Sequence, residues 1–124
     1  MTAPRRRRAW LRGRRGEGLA ACWLRLKGYR LLARNFRSGA GEIDLIARRG
    51  AILAMVEVKT RGDLVSASEA LGARQRARIV RAAQAYLQHR PHLGQLSVRF
   101  DVILIAPGHF PRHLLDAWRP DHAG

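Results

Sequence analysis

The chain has 124 residues, 47% of them apolar, enough for one domain around a single core and too few for two. Its 24 Lys and Arg residues against nine Asp and Glu give a net charge of +15, which points to a polyanionic partner, nucleic acid well ahead of an anionic membrane surface. The one cysteine, Cys22, excludes an internal disulfide and fits a reducing cytoplasm, and no stretch is apolar enough for a membrane span or an export signal.

Residues 1–13 read as a disordered tail. Arg5, Arg6, Arg7, Arg8 and Arg12 have no packing period, and with Arg14 and Arg15 they are expected to lie along phosphates. A helix is predicted from Arg14 to Lys27, stopped by Gly28, with Leu19, Trp23 and Leu26 as its buried stripe, widened by Ala20 and Leu24. Cys22 is expected at its core or boundary. Tyr29 to Arg37 reads as a strand, residues 38–41 as a turn, and Glu42 to Arg48 as a second strand. A tight Arg49-Gly50 turn leads into a third strand, Ala51 to Thr60, which is apolar until Glu57 and therefore central. After a loop over residues 61–66, Ser66 to Glu69 has capping-box spacing and is expected to open a long helix reaching Pro91, weakened or bent near Gly72. Ser97 to Ala106 is a fourth strand, Leu114 to Trp118 a short edge strand, and residues 121–124 a disordered end. The expected class is α/β, with an α-β-β-β-α-β core and a mixed sheet flanked by helices, in one domain over residues 14–120.

The rare carboxylates carry the chemistry. An acidic group beside a polyanion weakens binding, so it needs another reason to be there. In a strand, residues i and i+2 share a face, which puts Glu57 with Lys59, and Glu42 with Asp44 and Ile46. A hairpin centred between Gly50 and Ala51 sets Asp44 opposite Glu57. Facing carboxylates repel, so the pair calls for a cation between them. Glu17 falls on the border of the first helix's apolar stripe, where it can reach toward that pair. Such a set suits phosphodiester hydrolysis with Mg²⁺ or Mn²⁺, with Lys59 orienting or deprotonating water and stabilising charge on the phosphorane. The competing reading makes Glu57 and Lys59 an ordinary ion pair at a strand end.

The blocks Gly16-Glu17, Gly28-Tyr29, Arg34-Asn35-Phe36-Arg37, Gly41-Glu42-Ile43-Asp44-Leu45-Ile46, Val56-Glu57-Val58-Lys59 and Arg99-Phe100-Asp101-Val102 occur in this order. Over roughly residues 14–120 the chain resembles the bacterial YraN family, also called UPF0102, with the Gly-Glu-Ile-Asp-Leu-Ile block as the most specific part. The resemblance implies a restriction-endonuclease-like, PD-(D/E)xK fold similar to archaeal Holliday-junction resolvases. It implies catalytic places for Glu17, Asp44, Glu57 and Lys59, with Glu17, Asp44 and Glu57 at the metal. It also matches Gln75 to a recurring family glutamine. Ile43 stands where the superfamily motif has proline before its first aspartate, and Arg74 stands where relatives often carry lysine. The expected function is a metal-dependent endonuclease acting on structured or branched DNA, with DNA ahead of RNA as the partner. The alternative is a non-catalytic nucleic-acid-binding module on the same fold, and a homodimer stays open.

Arg74, Gln75, Arg78 and Arg81 of the second helix are expected at the nucleic acid, the three arginines because they share one helical face. His89, His92, His109 and His113 flank prolines and are expected in surface loops, with zinc binding improbable. Asp101 lies within a strand and is expected in a structural ion pair with Lys59 or a helix arginine.

Overall fold

A computed structural model describes residues 16–60 and 72–120. The expected tail and end, and the capping box at Ser66, lie outside the described residues. Helix α1 covers residues 16–26. It is followed by β1 (Arg30–Ser38), β2 (Gly41–Arg49), β3 (Ile52–Thr60), helix α2 (Ala73–Gln88), a 3-10 turn at Pro91–Leu93, β4 (Ser97–Ile105) and β5 (Arg112–Trp118). The five strands form one mixed sheet in sequence order, antiparallel except for β3 beside β4. The parallel pair follows from α2, which carries the chain back along the sheet. This is the α/β class expected from the sequence.

Each helix covers one face. Ile79, Ala82, Ala83 and Tyr86 of α2 pack on Ile46, Leu53, Met55, Phe100 and Val102. Ala20, Ala21 and Leu24 of α1 pack on Leu45, Ala47, Ala54, Val56 and Ile103. The alternation Leu53, Met55 against Ala54, Val56 is the period-2 pattern of a central strand buried on both sides.

The buried stripe of α1 keeps the expected Ala20 and Leu24 but not Leu19 and Leu26. Leu19 is 53% and Leu26 81% exposed, whereas Ala20 and Leu24 are fully buried. A Cβ on Gly16 would overlap Thr60 Oγ1, so the start of the helix lies close on the sheet, and Ala20 and Ala21 face inward with Leu24. Trp23 turns outward onto Phe110, with ring centroids 6.0 Å apart. Cys22 is also exposed, neither core nor boundary. Gly28, at φ 90°, ends α1 as expected, and the Tyr29 N–H reaches back to the Leu24 carbonyl at 2.9 Å. Gly72 does not bend a helix; it is extended and directly precedes Ala73, where α2 begins.

Candidate active site

The antiparallel hairpin of β2 and β3 has the expected register. Leu45 faces Val56, Ile46 faces Met55, and Arg49 faces Ile52 across the Gly50-Ala51 turn. One step further along this register, Asp44 would face Glu57. The ladder stops just short of them. Instead, Asp44 Oδ2 accepts the Val58 N–H at 2.8 Å, so a side chain replaces the backbone partner where the strands part.

The other side of β2 shows why it parts there. Asn35 is the residue of β1 opposite Asp44, skipped between the pairs Arg34–Leu45 and Phe36–Ile43, and its φ is 53°. Asparagine adopts that left-handed conformation more readily than most residues. Beyond the irregularity, Ile43 falls in the same core layer as Ile46, so strict alternation fails between them. The simple expectation that Glu42, Asp44 and Ile46 share one face is therefore interrupted at Asp44. Phe36, returned to the α2 layer by the same step, packs edge-on against Tyr86 at 5.1 Å.

Glu57 and Lys59 lie on the α2 side of β3, with Lys59 Nζ 3.9 Å from Glu57 Oε1 and both side chains largely buried. From α2, Gln75 Nε2 donates to the same oxygen at 3.3 Å. Burial, then the charge of Asp44, pushes the Glu57 carboxyl up to about 8. Burial likewise raises Asp44, although the Val58 N–H opposes it. The two carboxyls are close enough to influence each other. The half-buried Glu17 on α1 is near enough for its charge to raise Asp44 further, so the opposite face of the sheet contributes at this edge.

Glu57 opens into a cleft of about 640 Å³ between the β1–β2 turn and α2, with Arg37, Arg74, Gln75 and Arg78 along it. The cleft's floor is acidic and its walls are basic. Of the helix residues expected at nucleic acid, Arg74, Gln75 and Arg78 line this cleft, and Arg81 does not. Arg5, Arg6, Arg7, Arg8, Arg12, Arg14 and Arg15 lie outside the described residues. Arg37 and Glu42 were not selected from the sequence; they pair at 3.2 Å on the cleft rim. Gly41 has a structural reason to be glycine. A Cβ there would stand 2.6 Å from the Arg78 carbonyl oxygen, so its absence lets α2 close over the strand end. Among the described residues, no three His, Cys, Asp or Glu side chains form a ready metal cluster.

A second polar centre lies on the α1 side, under Tyr29. Asp101 is fully buried; it accepts two bonds from Arg99 at 2.8 Å, one from the Asp116 N–H at 2.9 Å, and contacts His113 Nε2 at 2.8 Å. Arg99 also donates to Tyr29 Oη at 2.6 Å, and Lys27 Nζ lies 2.7 Å from His113 Nδ1. Lys27 as donor and Asp101 as acceptor together fit a neutral His113 protonated at Nε2. Burial alone would raise Asp101, but the bonds from His113, Arg99 and Asp116 hold it below the usual carboxylate range. The partners are thus Arg99 and His113, not Lys59 or a helix arginine. His113 itself is a strand residue with a side chain 2% exposed, not a loop histidine. The signal available in the sequence was Arg99 at i−2 from Asp101, on the same strand face.

The model of the uncharacterised protein family UPF0102 matches residues 16–105. A UPF0102 protein of Paramagnetospirillum magneticum is 56% identical over 114 residues, covering 89% of this chain and 88% of the relative. One of Parvibaculum lavamentivorans is 55% identical over 112 residues, covering 90% and 84%. One of Caulobacter vibrioides is 51% identical over 106 residues, covering 86% and 85%. The matched span contains both helices' inward faces and every residue of the Asp44–Glu57–Lys59 centre, and the chain belongs to the uncharacterised protein family UPF0102.

Proposed function

We propose that this protein is a divalent-metal-dependent nuclease that hydrolyses phosphodiesters, with structured or branched DNA as the expected substrate and RNA second. The observation that carries the reading is a largely buried carboxylate pair, Asp44 and Glu57, with Lys59 beside Glu57, and with Glu57 opening into a cleft lined by arginines. Binding alone gains nothing from carboxylates placed where phosphates are drawn in. The order of elements and the position of the pair on adjacent strands support a place in the restriction-endonuclease-like superfamily.

The donor set fits Mg²⁺ or Mn²⁺. It offers hard carboxylate oxygens and no thiolate or imidazole, and Mg²⁺ typically takes one or two carboxylates and keeps waters or phosphate oxygens in its other positions. Two carboxyls raised by burial and by each other's proximity are also what a dication would relieve. Asp44 and Glu57 would hold the ion, with Glu17 contributing directly or through water. When bound, the ion supplies Lewis-acid polarisation of the phosphodiester and a more acidic water. Lys59 would orient the attacking water and offset the negative charge growing on the phosphoryl oxygens. Gln75 fixes the Glu57 carboxyl from α2. Arg74 and Arg78 hold the flanking phosphates by guanidinium contacts. Among the described residues no helix is long and apolar enough to cross a membrane, and we place the protein in the cytoplasm, where its single cysteine stays reduced.

The absence of a ready three-donor cluster among the described residues favours the second reading, a nucleic-acid-binding module that does not cleave. Cleavage of labelled branched and linear DNA across a Mn²⁺ and Mg²⁺ titration separates the two. The nuclease reading expects metal-dependent cleavage that Lys59→Ala abolishes while the Mn²⁺-induced thermal shift persists. Binding without cleavage or thermal shift at any metal concentration gives the protein to the second reading.

A further inference from the structure

Helix α2 is a ridge between two basic grooves. On its near side is the cleft holding Glu57. On its far side, a groove of about 390 Å³ is bordered by Arg76, Arg81 and Arg119, with Val80 and Trp118 as its floor and Gln84 at one end. A shallow saddle lined by Arg74, Ala77, Arg78 and Arg81 lies over the helix between them. Helical geometry makes this belt continuous. With Arg74 at zero, Arg78 lies at about 40°, Arg81 at about 340°, Ala77 at about 300°, Ala73 at about 260° and Arg76 at about 200°. Positive charge therefore extends from the near cleft over Arg74 and Arg78 to Arg81, which borders both the saddle and the far groove, and Ala73 and Ala77 keep the ridge low where a chain would cross.

The far groove has the chemistry of a backbone site. Three guanidiniums border it, and among the described residues no carboxylate lines it. Asp116 beside it is matched by Arg119 at 2.8 Å. Arg76 lies over the Trp118 ring, 5.8 Å from its centroid, so its stem covers the apolar floor while its charge stays at the rim. A mixed floor and arginine rim suit a strand of alternating sugars and phosphates better than a compact anion. Arg76 was not selected from the sequence because it falls off the face shared by Arg74, Arg78 and Arg81.

We infer that the far groove binds the continuation of the nucleic-acid strand that enters the Glu57 cleft, the strand crossing α2 over Ala73 and Ala77. This rests on the nucleic-acid reading of the cleft but needs no cleavage. The test is fluorescence polarisation in EDTA, with labelled single strands of about six and about 20 nucleotides, one near the short end of typical single-strand site sizes and one beyond them. The variants are Arg76→Ala/Arg119→Ala and the charge-keeping Arg76→Lys/Arg119→Lys. Both positions are exposed, and a melting curve for each variant checks the fold. For the long strand, the alanine pair is expected to lower the slope of log K against log salt by about 1.4, two phosphate contacts at about 0.7 each, and to leave the short strand's slope unchanged. The lysine pair retains the wild-type slope. An unchanged slope with the long strand overturns the inference. So does an equal loss with both lengths, which would mean that these arginines act only as a general field over the cleft. A protein that showed no metal response or cleavage would fail as a nuclease while still passing this test; a protein that cleaved normally with an unaltered slope would do the reverse.

Discussion

Replacing Asp44 by Asn should make the protein more stable than wild type without metal and less stable than wild type with it. In the metal-free fold, Glu57 keeps its proton up to about pH 8, against 4.5 for an ordinary glutamate. Between those values the folded state binds more protons than the unfolded one, so stability falls as pH rises, at up to about 1.4 kcal/mol per pH unit for one proton. The second-largest cause of the rise is the charge of Asp44, and Asn removes it. The amide oxygen can still accept the Val58 N–H that Asp44 accepts at 2.8 Å, so the local backbone keeps its partner. In EDTA the variant is therefore expected to match wild type near pH 5 and to exceed it by about 2 kcal/mol near pH 8, roughly 8 °C in Tm for a domain of this size. Saturating Mn²⁺ should reverse this. At about one hundred times Kd, it adds about 2.7 kcal/mol to wild type by mass action and little to the variant. Cleavage should be lost in the variant, and nucleic-acid binding should be retained or strengthened. The assay is thermal melting from about pH 5 to 8.5, with EDTA or Mn²⁺, beside binding and cleavage. Parallel pH profiles would show that the two carboxyls do not interact. Equal Mn²⁺ shifts in both proteins would show that they are not a metal site.

Asp101→Ala should cost about 3–5 kcal/mol in urea melts, because Arg99, His113 and the Asp116 N–H lose their buried partner; a loss below about 1 kcal/mol would make the network incidental. Asp101 is held below the usual range, so its stabilisation is complete above the unfolded carboxylate pKa and lost as pH falls through its folded value, the opposite sign to Glu57. A stability profile that kept its acid limb in Asp101→Ala would contradict this. Gly41→Ala should destabilise by about 1–3 kcal/mol as α2 is pushed from the strand end, and an unchanged melting point would refute the close contact with Arg78. Deleting residues 1–13 should weaken nucleic-acid binding and flatten its salt dependence, since Arg5 to Arg8 and Arg12 are removed; an identical salt slope would make the tail a bystander.

The hairpin register was legible because a two-residue turn fixes it: once Gly50 and Ala51 are placed, every pair from Arg49–Ile52 to Leu45–Val56 follows. The α2 stripe of Ile79, Ala83 and Tyr86 was legible from its helical period. The α1 stripe was legible only at Ala20 and Leu24, because hydrophobicity favours Leu19, Trp23 and Leu26 over Ala21, whereas the helix faces the sheet with Ala20, Ala21 and Leu24. The Asp101 network was also hidden. It joins Lys27, Tyr29, Arg99 and His113 from three elements, and nothing local marks His113 as a partner across 12 residues of chain.

The part of the site that sequence spacing located best is also where regular sheet geometry fails. A continued ladder would have paired the backbones of Asp44 and Glu57 and left their carboxylates side by side at ordinary cross-strand distance, repelling without any compensating donor. The left-handed Asn35 lets β1 and β2 step out of alternation at Asp44, and the Val58 N–H freed by the parting strands becomes a hydrogen-bond donor to that carboxylate. The same step puts Phe36 against Tyr86 and so ties the irregularity to the α2 core. Asp44 is therefore held by the backbone of the strand that carries Glu57 and Lys59, and any displacement of one strand edge moves all three groups together. That rigidity is what a site must have if two carboxyls are to hold one ion and a lysine is to face the same phosphate.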